Sequence, residues 1–275
     1  MTNAFDDKRI GFIGCGAMAR ALAGGLLTAG VDVGRLAAAD PASGQRQDFE
    51  SELGVATEPD NAALISHSDV VVVAVKPAVV SNVFRDLAGT SELDRPLWIS
   101  IAAGIPLAAL GEHLPGGARI VRAMPNTPAL VGAGATACCA NGAASEEDRA
   151  VARELFASVG TVWEAPSEAM LDGVTGLSGS GPAYVFLLLE ALADAGVRVG
   201  LPRDAAHQLA CQTVYGATKL AIESNRHPAA LKDQVTSPGG TTIAGLEQLE
   251  AGGVRSAIYR AVAAATARSR ELSQG

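Results

Sequence analysis

Nowhere in this sequence do lysines and arginines gather into a run. The 21 basic residues are scattered among 29 acidic ones, for a formal net charge of −8. A chain without a basic patch suits neither nucleic acid nor an acidic membrane surface, and neither partner is expected. Charge of both signs is sparse, at 18% of residues, whereas 48% are apolar, enough to bury a substantial core. Long hydrophobic runs are missing as well. The stretch at 70–80 is interrupted by Lys76 and Pro77, so no uninterrupted membrane span is expected. The four cysteines, Cys15, Cys138, Cys139 and Cys211, form neither a CxxC pair nor a spaced metal set. They read as small buried residues of a reducing compartment, with no metal site. The polar start MTNAFDDKR leads directly into a strand, so no signal peptide is expected and the location is taken as cytoplasmic.

What the sequence does contain is an α/β alternation over its first 165 residues. Arg9–Ile13 reads as a buried strand, followed at once by Gly14-Cys15-Gly16-Ala17-Met18-Ala19, a GxGxxA turn opening a helix to Gly30. In that pattern the first glycine makes the tight turn and the second lets backbone approach a pyrophosphate. The small Ala19 permits close helix–strand packing. A second strand, Leu36–Ala39, ends at Asp40. A carboxylate there can accept from the adenosine ribose hydroxyls of NAD and repel a 2′-phosphate; alternatively Asp40 caps the helix beginning near Ala42, and Arg46 could pair with the phosphate instead. Further strands are expected at Val55–Thr57, Asp69–Val75, Trp98–Ala102, Arg119–Ala123, Ala135–Ala140 and Thr161–Glu164, with a capping-box helix from Ser145 through Asp148.

The run at 69–75 has no polar alternation, the mark of a strand buried on both faces of a parallel sheet. Ligands of such sheets bind beyond the carboxyl ends of the strands, which places Val75, Lys76 and Pro77 at the cofactor cleft; a solvated Lys76 is equally compatible. Asn61 lies in a turn entering a short helix. The proline-fixed loop Met124-Pro125-Asn126-Thr127-Pro128 falls at the same edge, as a floor near the nicotinamide or as a plain connection.

After about Ala165 the pattern is wholly helical: 168–196, broken at Gly179-Ser180-Gly181-Pro182, then 202–225, 228–235, 242–251 and 254–272. These helices carry wide apolar faces, including Tyr184, Val185, Leu188, Leu189 and Leu192, that call for a second subunit or else a self-contained bundle. The architecture expected is therefore a Rossmann-type α/β dinucleotide-binding domain (1–165) followed by an all-α dimerisation and substrate domain (166–275).

Within the helical part, Leu231–Glu250 (LKDQVTSPGGTTIAGLEQLE) is the stretch that carries chemistry. A helix breaks at Ser237-Pro238-Gly239-Gly240 and restarts at Thr241 or Thr242. A tight turn feeding a helix N-terminus presents backbone N–H groups to a small anion, with no charged side chain required. No Ser-His-Asp set, Cys-His set or carboxylate pair stands out, and His207 and His227 fall on helix surfaces. Reducing a ketone calls for a strong proton donor. Reducing an imine does not, because its nitrogen is basic enough to arrive protonated and a neutral hydroxyl can orient it.

Over essentially its whole length the chain resembles the pyrroline-5-carboxylate reductases, which make L-proline from 1-pyrroline-5-carboxylate with NADPH or NADH. The resemblance rests on GFIGCGAMA (11–19), VAVKP (73–77), RAMPNTP (122–128), GLSGSGPAY (176–184) and, most specifically, 231–250. It implies cofactor contacts at Gly14, Gly16, Ala17, Met18, Asn61, Val75, Lys76 and Pro77, with position 40 variable among members. It also implies substrate contacts at Val235, Ser237, Gly239, Gly240 and Thr241, a nitrogen-facing catalytic hydroxyl at Thr242, and a homodimer that can assemble into a ring of dimers. A related imine reductase or β-hydroxyacid dehydrogenase shares the two-domain plan. The hydroxyacid enzymes, however, need a lysine in the first long helix of the second domain, and 168–196 has none. A non-catalytic dinucleotide-binding regulator would have no need of the SPGGTT turn.

Overall fold

A computed structural model describes residue 5 and residues 7–274. Its eight strands, β1 (Ile10–Ile13), β2 (Leu36–Ala39), β3 (Ala56–Glu58), β4 (Val70–Val73), β5 (Leu97–Ser100), β6 (Ile120–Met124), β7 (Gly134–Ala140) and β8 (Gly160–Glu164), form one sheet in the order β3-β2-β1-β4-β5-β6-β7-β8. The first six are parallel and reverse direction of growth between β1 and β4, the doubly wound dinucleotide-binding order. β7 runs antiparallel to β6, and β8 follows β7. The carboxyl ends of β7 and β8 consequently lie at the opposite edge of the sheet from those of β1–β6.

Helices cover both faces: α1 (Ala17–Thr28), α2 (Ser43–Leu53), α3 (Asn61–Ser66), α4 (Pro77–Asp86), α5 (Leu107–Gly111) and α6 (Glu146–Ala157). All four valines of β4 are buried, as the unbroken β-branched run predicts, one face in each of two apolar layers. Phe12, Leu22, Phe49 and Phe156 fill one layer, and Trp98, Ile65 and Phe84 the other. Pro77 starts α4 at its first turn, where its missing N–H costs nothing. The capping box read at Ser145 is present: Ser145 Oγ accepts from the Asp148 N–H, and Asp148 Oδ2 accepts from the Ser145 N–H.

The long helix expected from 168 differs in form. α7 (Met170–Val174) passes into a π turn over Thr175–Gly179, closed by the Ser180 N–H on the Thr175 carbonyl, and α8 (Gly181–Arg198) follows directly. The glycine-rich stretch widens the helix rather than breaking it. As a result 170–198 is long and apolar enough, by length and composition, to cross a membrane, contrary to the sequence reading. Its apolar residues belong to the surface described next.

The chain divides into two compact units, one comprising 1–180 with 264–275 and the other 181–263. In the second, α8 packs on α9 (Arg203–Ser224), followed by α10 (Pro228–Gln234), α11 (Thr241–Ala251) and the first part of α12 (Val254–Gln274). The buried residues here are alanines, Ala193, Ala206 and Ala210, whereas Phe186, Leu187, Leu188, Leu220 and Ile222 are exposed. A unit of this size cannot stand on so small a core. Its apolar faces need cover from outside the unit, which excludes the self-contained bundle.

Candidate active site

Gly14 leaves β1 with φ +100°, a conformation side-chain-bearing residues avoid. A Cβ there would lie 2.8 Å from the Ala74 carbonyl oxygen and 3.0 Å from Val75 Cγ1. Glycine is thus what lets the ends of β1 and β4 approach at the switch point, where open α/β sheets bind their ligands. Gly16 then caps α1 in extended backbone with no side-chain cap bond, and a Cβ on it would meet no protein atom within 4 Å. The first turn of α1 has no acidic residue. Ala17 is exposed, Met18 half-buried and Ala19 fully buried against the sheet. Bare N–H groups at a helix N-terminus, beside a backbone that can be approached closely, fit a dinucleotide pyrophosphate.

Asp40, half-buried at the end of β2, accepts from the Cys15 N–H at 3.0 Å and from the Ala42 N–H at 2.9 Å. It therefore ties the glycine turn to Ala42 at the entry to α2, but α2 has no side-chain cap bond, so Asp40 does not cap that helix. Arg46 does not reach outward: its Nη1 donates to the carbonyls of Asp40 (2.6 Å) and Pro41 (3.2 Å). Asn61 opens α3, whose cap is the Asp60 side chain accepting from the Ala62 N–H. At the end of β4, Val75 is half-buried, and Lys76 and Pro77 are exposed at the head of α4. The cofactor set is thus gathered at one edge of the sheet in the first unit.

The substrate set lies in the second unit. The Gly240 N–H donates to the Ser237 carbonyl at 3.0 Å, with Pro238 second and Gly239 third at φ +66°. This is a type II turn, with proline and glycine each where that turn favours them. A Cβ on Gly240 would come within 2.2 Å of Ser237 Oγ, so glycine lets the hydroxyl fold over the turn. α11 begins at Thr241 with Gly240 as an N-cap that offers no side-chain oxygen. The Gly240 N–H is consumed by the turn, whereas the N–H groups of Thr241 and Thr242, in the first turn of α11, have no acceptor within the helix and no side-chain cap. Val235 is exposed, and Thr242 is half-buried in the first turn of α11.

Two associations had no signal in local patterning. Asn126 Oδ1 accepts from the Ala135 N–H (2.9 Å), while Nδ2 donates to the carbonyl (3.2 Å) and hydroxyl (3.1 Å) oxygens of Ser178. Arg122, buried on β6, reaches Glu168. Both join segments far apart in the chain. Cys15 and Cys138 are buried, and burial pushes both thiols up to about 12, which keeps them protonated and unreactive near neutral pH.

Comparison with known proteins agrees with this geometry. Residues 9–104 match the family of coenzyme F420-dependent NADP oxidoreductases, and residues 168–272 match pyrroline-5-carboxylate reductase dimerisation. The pyrroline-5-carboxylate reductase of Pisum sativum is 48% identical over 269 residues, 98% of this chain and 97% of the relative. The structure of a pyrroline-5-carboxylate reductase from Coxiella burnetii superposes with a TM-score of 0.91 at 39% identity, over 98% of this chain and 99% of that one. That of the Plasmodium falciparum pyrroline carboxylate reductase with NADP bound gives 0.87 at 33% identity, over 98% and 99%. With matches of this closeness running nearly end to end, the chain belongs to the pyrroline-5-carboxylate reductase family.

Proposed function

We propose that this protein reduces the C=N bond of 1-pyrroline-5-carboxylate to give L-proline, the last step of proline biosynthesis, with NADPH or NADH as reductant. The observation that carries the reading is the type II turn at Ser237–Gly240 delivering an uncapped helix N-terminus, in a chain that belongs to this family throughout. The N–H groups of Gly239, Thr241 and Thr242, at the positive end of α11, hold the substrate carboxylate, with Val235 and Ser237 flanking it. The Thr242 hydroxyl meets the ring nitrogen.

Gly14, Gly16, Ala17 and Met18 hold the dinucleotide pyrophosphate, and Asp40 and Asn61 lie toward its adenosine end. Val75, Lys76 and Pro77 line the path to the nicotinamide. When bound, the reduced nicotinamide supplies the hydride that becomes the new C–H bond. The product nitrogen keeps one proton. It is present at the start, as in the iminium, or passes by way of Thr242.

The functional division is a cofactor domain (1–165) and a substrate and dimerisation domain (166–275). The protein works as a homodimer in the cytoplasm, with a ring of dimers as the larger assembly. Purified protein incubated with 1-pyrroline-5-carboxylate and each reduced cofactor should consume the cofactor and accumulate proline in equal amounts. Cofactor binding without proline formation would instead favour the regulator reading.

A further inference from the structure

RAMPNTP and GLSGSGPAY, two of the motifs most evident in the sequence, are left without a role by the reading above. The fold brings them together. Met124 to Pro128 leaves the carboxyl end of β6, in the half of the sheet (β4–β6) that receives the nicotinamide nucleotide in a doubly wound fold. On this loop Asn126 makes three hydrogen bonds with a single amide: one accepted from the Ala135 N–H at the start of β7, and two donated to Ser178 in the π turn. Met124 reaches the same turn, its Cε so near Gly179 that a Cβ there would come within 2.5 Å of it.

The residue types follow from this geometry. Pro182, four residues on, has no N–H to give the Ser178 carbonyl, so that carbonyl takes a donor from outside the helix, while the Ala135 N–H takes an acceptor from outside its strand. Only a short side chain carrying both, an asparagine amide, serves the two at once. Asp would keep the acceptor and set an oxygen against the Ser178 oxygens. Local departures from regular helix of this kind concentrate at functional sites.

From this juxtaposition we propose that Asn126 is a positioning residue. Through Ser178 it clamps the loop after β6 so that the nicotinamide ring of the bound cofactor is held in one orientation. The clamp does not contribute to the affinity fixed by the pyrophosphate turn at Gly14–Met18. The inference rests on the reading of this unit as a nicotinamide-dinucleotide site.

The test uses the full-length protein and the fluorescence of NADPH, which reports how tightly its nicotinamide ring is immobilised without any substrate. Asn126→Asp should bind NADPH within about twofold of the wild-type Kd, because the adenosine and pyrophosphate contacts are intact. Its bound-state fluorescence enhancement and anisotropy should fall by about fivefold, as expected when an oriented population loses hydrogen bonds of ordinary strength. Ser178→Ala, which removes one acceptor and leaves the carbonyl bond, should show a smaller loss, and Ser178→Thr should restore it. If Asn126→Asp does not fold, the Ser178 pair carries the comparison.

Variants with lowered Tm but wild-type fluorescence per bound cofactor would overturn the proposal and leave Asn126 a purely structural tie. A wild-type protein that binds no reduced nicotinamide cofactor overturns it together with the reading beneath it. A wild type that binds NADPH but yields no proline overturns the substrate assignment alone and leaves the clamp standing on its fluorescence.

Discussion

Arg122 donates through Nη1 to Glu168 Oε1 at 2.7 Å, and the same oxygen accepts the Leu107 N–H at 2.7 Å. The arginine side chain is 7% exposed. One carboxylate thus joins β6, the entry to α5 and the segment ahead of α7. Removing one partner of such a pair leaves an uncompensated buried charge, so Glu168→Ala should destabilise by about 3–5 kcal/mol. Arg122→Met with Glu168→Met should recover most of that in chemical denaturation. The same contact means that a chain cut at Ala165 ends with Arg122 buried and unpaired. Such a fragment should melt well below one that keeps residues up to Ser180.

Asp40 ties the glycine turn to Ala42 and, in the proposed function, also faces the adenosine end of the cofactor, and substitution should separate the two roles. Asp40→Ser relieves repulsion of a 2′-phosphate and should move the kcat/KM ratio toward NADPH. It also gives up the bonds from the Cys15 and Ala42 N–H groups, for a loss of about 1–2 kcal/mol in stability. Arg46→Ala should leave NADH use nearly unchanged and weaken NADPH if the guanidinium turns from the Asp40 and Pro41 carbonyls to the phosphate. A ratio of specificity constants unmoved by Asp40→Ser would make Asp40 a structural tie alone.

Thr242→Val preserves β-branching within α11 and removes the hydroxyl. Orientation of a protonated imine is worth about one hydrogen bond, or roughly fivefold in kcat/KM, whereas proton transfer by a placed hydroxyl is worth about 10²–10⁴-fold. We expect a loss between these limits that grows above the substrate's own pKa, where the neutral imine dominates. A deficit flat with pH would assign orientation only, and no deficit would remove Thr242 from the mechanism.

Leu188, 49% exposed on α8, lies amid Val185, Phe186 and Leu187 on a unit almost without a core of its own. Leu188→Asp should raise the dimer dissociation constant by a factor of about 10² or more, as for a charge set into a central apolar contact. Light scattering should then show monomer at micromolar protein, with the cofactor unit still folded by near-ultraviolet circular dichroism.

Cys138 supplies a pH prediction. Burial, followed by the nearby Glu164 charge, lifts its thiol from 9.0 to about 12. The unfolded chain releases this proton near 9.0 and the folded chain keeps it to about 12. The folded state therefore binds more protons in that window, and stability falls as pH rises through it while remaining flat below. Cys138→Ala should show a shallower decline in Tm between about pH 9 and 11 than the wild type, with no change in slope near neutrality.

Much of the first unit was legible in local patterning because its determinants are local. The strand–turn–helix at 10–28, the buried run of β4 and the capping box at Ser145 each depend on residues within a few positions of one another. Their boundaries moved by a residue or two, as helix and strand ends do. The Ser237–Gly240 turn was equally readable, since proline and glycine dictate their own backbone angles. The sequence by itself therefore determined the α/β-then-helical plan, the strand–glycine turn–helix at the N-terminus, the Ser237–Gly240 turn and the apolar excess that calls for a partner chain.

Other features were decided only by the tertiary structure. Nothing in 134–140 says that β7 runs antiparallel to β6, because direction is set by how the connection at 127–131 folds. The glycines at 176–181 read as a break, and it takes the approach of Met124 and Asn126 to hold them as a π turn. Asp40 reads as a ribose ligand or a cap until the Cys15 N–H is found upon it, and the Gly240 N–H reads as free until the turn claims it. Arg122 and Glu168 are unremarkable in their own neighbourhoods. Apart from Gly240, whose partner Ser237 is three residues away, the partner in each case is distant in the chain, and a hydrogen bond or ion pair of that kind leaves no periodicity to read. It exists only once packing has excluded water and left one group within reach of the other.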